Sequence, residues 1–464
     1  MVTDFAWYFE GILLFASWAL ALYFVNHMVR ERRPAQSITA WLMFMFFLPV
    51  LGVIAYIFFG WRKVHKRRHR SKSPIDFDSL HSPVPEPANA HDSLIRTYGV
   101  PAAFPGNRVE LLSDCAASYA SLIEMIDSAE KQVWIDIYLF APDKIGKLVV
   151  DRLAEAAKRG VEVKLLLDDV GSMGTNDAFL APVTEAGGEI SYFLPVRRSF
   201  ALRNLANLRN HRKVVIADQS RVWSGGTNIG ELYISPEPEE GSFCDLSFLL
   251  EGPASAAYGG IFRSDWFFST GKRIPLMTAG EIEKRGDALV QPMPSGPDVV
   301  GDGLFEVIGA MIYSARKRLW ITSPYFIPGE TLGCALSLAA RRGVDLRIMV
   351  PKRSDHRICD LARGPYLRDL DNSGARIFRY APSMLHAKAM VIDDSVGMIG
   401  SCNFDQRSFF LNFELASFFY SEPEIEALAA WFEETFADCE EGPRPVSYFE
   451  ETLQGVARVF SPLL

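Results

Sequence analysis

Cysteine is scarce in this chain. Six residues, Cys115, Cys244, Cys334, Cys359, Cys402 and Cys439, are scattered over 464 positions with no C-x-x-C pair and no accompanying zinc-type histidine spacing. That pattern excludes a disulfide framework and a zinc ribbon, and it reads as reduced cytosolic thiols. No other cluster has the spacing of a metal site, so no metal or other cofactor is expected. Positive charge is also missing from most of the chain. After residue 73, 38 Lys/Arg stand against 53 Asp/Glu, a balance of −15. Nucleic acid demands a basic face, so a body this acidic is a poor match for it. The basic charge gathers instead in residues 1–73, with ten Lys/Arg against three acids. No basic residue precedes the first apolar run, and a second such run follows, which argues against a cleaved signal peptide.

What the N-terminus does have is two long hydrophobic runs. Residues 5–25 and 38–60 are each about long enough to cross a bilayer. Glu10 weakens the first, and the second holds Pro49 and Gly52, which membrane helices tolerate. Trp7, Tyr8, Trp41 and Trp61 lie near segment ends, as interfacial aromatics do. The expectation is a two-helix transmembrane hairpin with a three-arginine join (27–36) and a seven-cation flank (61–72). A hairpin puts the N-terminus and the following body on one side, and the larger flank places that side in the cytoplasm. The same flank attracts anionic headgroups, at about 1 kcal/mol per charge. Residues 71–92 are Ser/Pro/Asp-rich and read as an extended linker. The boundaries expected are 1–73 for the hairpin and its flank, 74–100 for the linker, and 101–285 and 286–464 for two lobes.

The body writes one phrase twice. NHRKVVIAD (210–218) and LHAKAMVIDD (385–394) both read H-x-K-x4-D, and both reach a Gly-rich turn after the same interval, GGTN (225–228) and GSCN (400–403). The αβ pattern around them recurs as well. VWIDIYLF (133–140) and LWITSPYF (319–326) read as strands, and helical patterns then end at Gly160 and Gly343. The fold class is therefore α/β, a duplicated sheet flanked by helices.

In a strand, alternate side chains share a face. His211 and Lys213 point one way, and His386 and Lys388 repeat the arrangement. If the halves pack about a pseudo-twofold axis, two imidazoles and two ammonium groups meet in one cleft. Two histidines suit a double displacement, in which one attacks and the other serves as acid and then base. Two lysines, with Asn228 and Asn403 in the turns, suit a phosphate whose oxygens need fixed donors. Asp218 and Asp393 fall on the opposite face and read as ties between the strand end and nearby backbone. Each histidine also needs an acid to hold its tautomer.

This paired motif resembles the signature of the phospholipase D superfamily. The phrases YLFAPDKIG (138–146), SPYFIPGETL (323–332) and NFDQRSFFLNFEL (403–415) resemble its bacterial cardiolipin synthase branch. The likeness implies two pseudo-twofold lobes. It implies phosphatidyl transfer between two phosphatidylglycerol molecules through a phosphohistidine, with release of glycerol and no metal. It also implies that Glu414 pairs with His386 and Asp245 with His211. The stretch Phe243-Cys244-Asp245 departs from the branch's usual Trp-Arg-Asp. Residues 195–213 alternate arginine with apolar residues, which fits either a membrane-surface segment or a packed amphipathic helix. The reading favoured is a membrane-anchored cardiolipin synthase in the bacterial inner membrane. Its rivals are a phospholipase D that uses water or another alcohol, a membrane-tethered nuclease, which the −15 body disfavours, and a non-enzymatic membrane scaffold, which two intact motifs disfavour. The partners expected are phosphatidylglycerol and anionic lipids, not nucleic acid.

Overall fold

The computed structural model describes residues 2–30, 35–60, 86, 88–196, 207–299 and 301–459. The basic flank, most of the linker and most of the arginine-rich stretch before His211 lie outside these residues. The chain divides into an N-terminal helical unit and a larger body.

In the helical unit, residues Val2–Arg30 form one continuous helix. Its stretch Gly11–Arg30 is long and apolar enough to cross a membrane. The second apolar run departs from the expectation of a single spanning helix. It forms two helices, Ala35–Phe47 and Pro49–Phe59. Proline has no N–H to continue the first helix, and it sits comfortably at the start of the next. The chain then folds back on itself. The rings of Trp41 and Tyr56 meet edge to face at 5.0 Å. A Cβ on Gly52 would lie 2.7 Å from the Cα of Met45, so only glycine permits this approach. At 1.5 Å per residue the two helices are about 20 and about 16 Å long, short of the roughly 30 Å of hydrocarbon. Tyr56 also packs on Phe24 and bonds His27 Nδ1 at 3.0 Å, which ties the returning helix to the long one.

The body is built on one sheet of fifteen strands. The first half supplies β1 (Phe104–Leu112), β2 (Gln132–Ile137), β3 (Glu162–Asp168), β4 (Glu189–Phe193), β5 (Lys213–Ala217), β6 (Arg221–Gly225) and β7 (Ser247–Glu251). The second supplies β8 (Ala288–Ser295), β9 (Arg318–Thr322), β10 (Asp345–Pro351), β11 (Arg376–Tyr380), β12 (Ala389–Ile392), β13 (Val396–Gly400), β14 (Glu414–Phe419) and β15 (Cys439–Glu441). The order across the sheet is β15-β11-β10-β9-β12-β13-β14-β8-β1-β7-β6-β5-β2-β3-β4. Read outward from the antiparallel β8/β1 pair, the two sides repeat each other strand for strand, with β15 added at one edge. This is the expected pseudo-twofold duplication.

Helices cover the sheet, and each half has its own apolar core. In the first half, Asp114, Asp143 and Asn176 cap their helices through side-chain oxygens. The end of the expected linker is in fact structured. Asn89 caps a helix over Ala90–Arg96, and Ile95 and Val100 join the core of the second half. Buried Asp92 accepts from Gln291 of β8 at 3.0 Å and pairs with Arg96. Apolar Ile95 and Val100 among the Ser/Pro-rich residues are the sequence signal for this docking.

Candidate active site

Both motifs lie at the same end of the sheet. β2 and β3 run parallel, and β5 returns antiparallel beside β2, with Lys213 opposite Ile137. The histidine that precedes β5 therefore stands at the carboxyl end of the parallel strands, where α/β sheets place their ligand sites. β9, β10 and β12 repeat this geometry for His386.

Main-chain bridges join the halves at the motifs. His211 N donates to Phe413 O at 2.8 Å, and Phe413 N to Arg209 O at 2.8 Å. His386 N donates to Cys244 O at 2.7 Å, and Cys244 N to Met384 O at 2.9 Å. Each histidine thus lies beside the residue that precedes the other half's acid. The acids are consequently exchanged, which corrects the pairing implied by the resemblance. His211 Nδ1 contacts Glu414 at 3.0 and 3.1 Å, and His386 Nδ1 contacts Asp245 at 2.6 Å. Sequence order could not reveal this, because the acid reaches its histidine through an inter-half bridge rather than along its own half.

The carboxylates fix the tautomer. An Nδ1–H donating to the acid leaves Nε2 with the reactive lone pair, and at His386 that nitrogen lies 3.1 Å from Lys388 Nζ. Lys388 Nζ lies 2.8 Å from His386 Nδ1, but that nitrogen cannot both donate to Asp245 and accept from an ammonium. The shorter, charged contact to Asp245 decides the tautomer, and Lys388 donates to the carbonyl of His386. Lys213 likewise donates to His211 O at 2.7 Å. Tyr138 packs edge to face on His211 at 4.8 Å, and Tyr233 on His386 at 5.2 Å.

The electrostatics follow from burial. Desolvation pushes both imidazoles down to about 4, against the opposing pull of their carboxylates. Both are therefore neutral near pH 7. Burial also raises the Asp245 and Glu414 carboxyls, but the adjacent histidines and lysines outweigh it and both lie below the usual carboxylate value. Lys213 is pushed down to about 7 and Lys388 to about 8, again chiefly by burial.

Asn228 and Asn403 occupy the two turns, and both are buried. Their side-chain oxygens have no hydrogen-bond partner among the described residues. An asparagine amide can present its NH2 where its oxygen now lies, so each turn can offer a neutral donor. Gly226 makes the close approach possible. A Cβ there would stand 2.2 Å from Asp245 Oδ1 and 3.4 Å from Lys388 Cδ. Its counterpart Ser401 instead donates to Glu414 at 2.5 Å.

Asp218 and Asp393 lie away from the cleft, at the far ends of the motif strands. Asp218 accepts from the main-chain N–H groups of Glu130, Lys131 and Gln132 at 2.8–3.1 Å. Asp393 does the same for Arg316, Lys317 and Arg318 at 2.7–3.1 Å. Both adopt left-handed backbone, φ 51° and 48°, which aspartate tolerates at modest cost.

Sequence reasoning missed a set of supporting residues. Asp168 accepts Asn210 N at 2.9 Å and pairs with Arg209. Asn210 Nδ2 donates to buried Asp136 at 2.7 Å. Arg212 is fully buried, paired with Asp265 at 2.5 Å, and its Nε donates to Glu414 O at 3.1 Å. The double aspartate at 168–169 and the arginine between histidine and lysine were the available signals.

Two histidine–carboxylate pairs, two lysines and two turn asparagines in a duplicated sheet define a phospholipase-D-type phosphotransfer fold. Family comparison assigns residues 122–266 and 308–436 to the cardiolipin synthase PLD-like domain, and residues 16–61 to the phospholipase D-nuclease N-terminal family. The chain belongs to the cardiolipin synthase family. It is 33% identical to a cardiolipin synthase of Geobacillus kaustophilus over 94% of this chain and 90% of that one. It is 32% identical to cardiolipin synthase A of Pseudomonas entomophila, over 98% and 99% of the two chains. The crystal structure of a phosphatidylserine synthase from Haemophilus influenzae shares the fold, with a TM-score of 0.59 and 16% identity over 81% of this chain and 98% of that one.

Proposed function

We propose that this chain is a membrane-bound cardiolipin synthase that transfers a phosphatidyl group from one phosphatidylglycerol to another. The observation that carries the reading is the exchange of acids between two complete histidine sites. One neutral imidazole attacks phosphorus through Nε2 and forms a phosphatidyl-histidine. The other protonates the departing glycerol oxygen. It then takes the proton from the terminal hydroxyl of a second phosphatidylglycerol, whose oxygen displaces the histidine. The bound phosphodiester anion raises the pKa of the imidazole beside it, so the acid can carry its proton at neutral pH. Lys213 and Lys388, with the turn amides, stabilise the charge on the non-bridging oxygens. Leaving group and acceptor are both primary alcohols, so the exchange is nearly isoenergetic. Asp218 and Asp393 act as structural ties.

The test uses purified full-length protein in phosphatidylglycerol vesicles, with lipid products and free glycerol both measured. Cardiolipin and glycerol should appear in equal amounts. A product mixture dominated by phosphatidic acid would favour the hydrolase.

The fold-back at Leu48–Pro49 also bears on membrane sidedness. The long helix alone crosses, and the 35–59 helix pair enters and leaves on one side. The join (27–36) and the flank (61–72) then share a side, which removes the conflict between two basic segments on opposite faces. That side is the cytoplasm and holds the catalytic body, and the N-terminus lies across the membrane. A reporter fused before Met1 that was active only in the cytoplasm would contradict this arrangement.

A further inference from the structure

The last described helix, Tyr448–Val459, is packed the wrong way round for a core helix. Its side against the body carries Gln454 and Ala457, both buried. Its bulky apolar residues face out: Phe449 is 72% exposed, Leu453 44% and Val456 53%. The 449, 453, 456 spacing makes a single stripe along one side of the helix. Gln454 binds Arg368 at 2.6 Å, and Arg458 pairs with Asp369 at 3.0 Å, so the helix is held in this orientation by polar contacts.

Its carboxyl end lies beside the cleft. Ala457 packs with Ile327, Ala362 and Tyr366. Ile327 N in turn donates to Phe404 O at 2.8 Å, one residue past Asn403. Other exposed apolar side chains gather at the same end of the sheet. Met173 follows β3, Leu232 follows β6, and Ile358 follows β10, and all three are about half exposed. Each of these strands runs toward the cleft end. Arg353 is exposed on the loop after β10, and Arg357 is exposed at the first turn of the helix Arg357–Asp371 that carries Ile358, with the exposed Asp355 between them.

We propose that the outward stripe of helix 448–459, with Met173, Leu232 and Ile358, is a lipid-contacting surface that sets the cleft mouth on the membrane. The occupant is the headgroup and acyl boundary of an anionic leaflet. Apolar side chains enter it, and Arg353 and Arg357 meet the phosphates at its edge. The chain's own spanning helix keeps a bilayer within reach. A substrate lipid then reaches the histidines without passing through water. This surface deepens the proposed function and rests on it for the identity of the substrate, but not for the lipid contact itself.

The test places a nitroxide label at Leu453→Cys or at Gly455→Cys, in full-length protein carrying Cys334→Ser, reconstituted in phosphatidylglycerol/phosphatidylcholine vesicles. Gly455 points to open space, and helical geometry sets it nearly opposite Leu453. The label at 453 should be accessible to oxygen and shielded from a water-soluble nickel chelate, and the label at 455 the reverse. Equal access to the chelate at both sites would overturn the proposal. So would dipolar coupling between labels on two copies. A second arm uses the Leu453→Glu/Val456→Glu variant. Its turnover in vesicles should fall at least about five-fold, while its rate on a short-chain soluble phosphodiester in detergent stays within about two-fold. Equal losses on both substrates would overturn the proposal. If wild-type protein made no cardiolipin, the functional reading would fail while the depth measurement still decided the surface.

Discussion

Under His211 the sheet is charged, and under His386 it is apolar. The residues flanking the first histidine are Asn210 and Arg212, bound to buried Asp136 and Asp265. The corresponding residues in the second half are Leu385 and Ala387, which are simply buried. The cleft faces of the two motifs agree, yet their undersides share nothing. The chemistry therefore constrains only alternate positions, and the hidden positions are free to solve the packing in different ways. The charged solution adds one thing that the apolar one lacks. Arg212 reaches across to the main chain of Glu414 and so helps to place the acid that orients its neighbour.

The comparison is sharpest at the acids. Glu414→Gln should disable His211, and Asp245→Asn should disable His386, because a neutral amide no longer enforces the Nδ1–H tautomer. Each change should lower kcat by about 100-fold or more with little effect on melting temperature. In a Glu414→Gln/His211→Ala double variant, the two losses should not add. Additive losses would mean that the acid serves a histidine other than the one it touches.

Stability should separate the undersides. Arg212→Ala leaves Asp265 buried without its principal cation and should cost about 3–5 kcal/mol. Ala387→Gly, the matching site in the second half, should cost only about 1 kcal/mol. Thermal melting in detergent reads both. Equal costs would erase the distinction.

A smaller effect should appear in the pH profile, where the halves differ by their lysines. Burial lowers Lys213 to about 7 and Lys388 to about 8. Both ammonium groups are present at lower pH and lose charge as pH rises through these values. kcat/KM, which reports the free enzyme, should therefore fall on the alkaline side from about pH 7 upward. A bound phosphodiester favours the charged lysines, so the limb in kcat should lie higher. A profile flat to pH 10 would show that the lysines keep their protons.

These features differ in how far they could be read from sequence. The duplicated sheet, the cleft histidines and lysines, and the turn asparagines were legible, because strand period and motif spacing are local. Asp218 and Asp393 were legible as ties for the same reason. The acid exchange was not, since it depends on the bridges Asn210–Phe413 and Cys244–Leu385 between distant segments. The fold-back at Pro49 was visible as a proline and a glycine in an apolar run. Hydropathy alone counts such a run as one span, while the close contact of Gly52 with Met45 sets its direction.

The central claim is that the two halves divide one double displacement between their histidines. Exchange of labelled glycerol into phosphatidylglycerol tests it most directly, because exchange needs only the first displacement and its reversal. Wild-type protein in phosphatidylglycerol vesicles should incorporate the label, and His211→Ala and His386→Ala should each incorporate none. Incorporation by either variant at more than a few per cent of the wild-type rate would contradict the account.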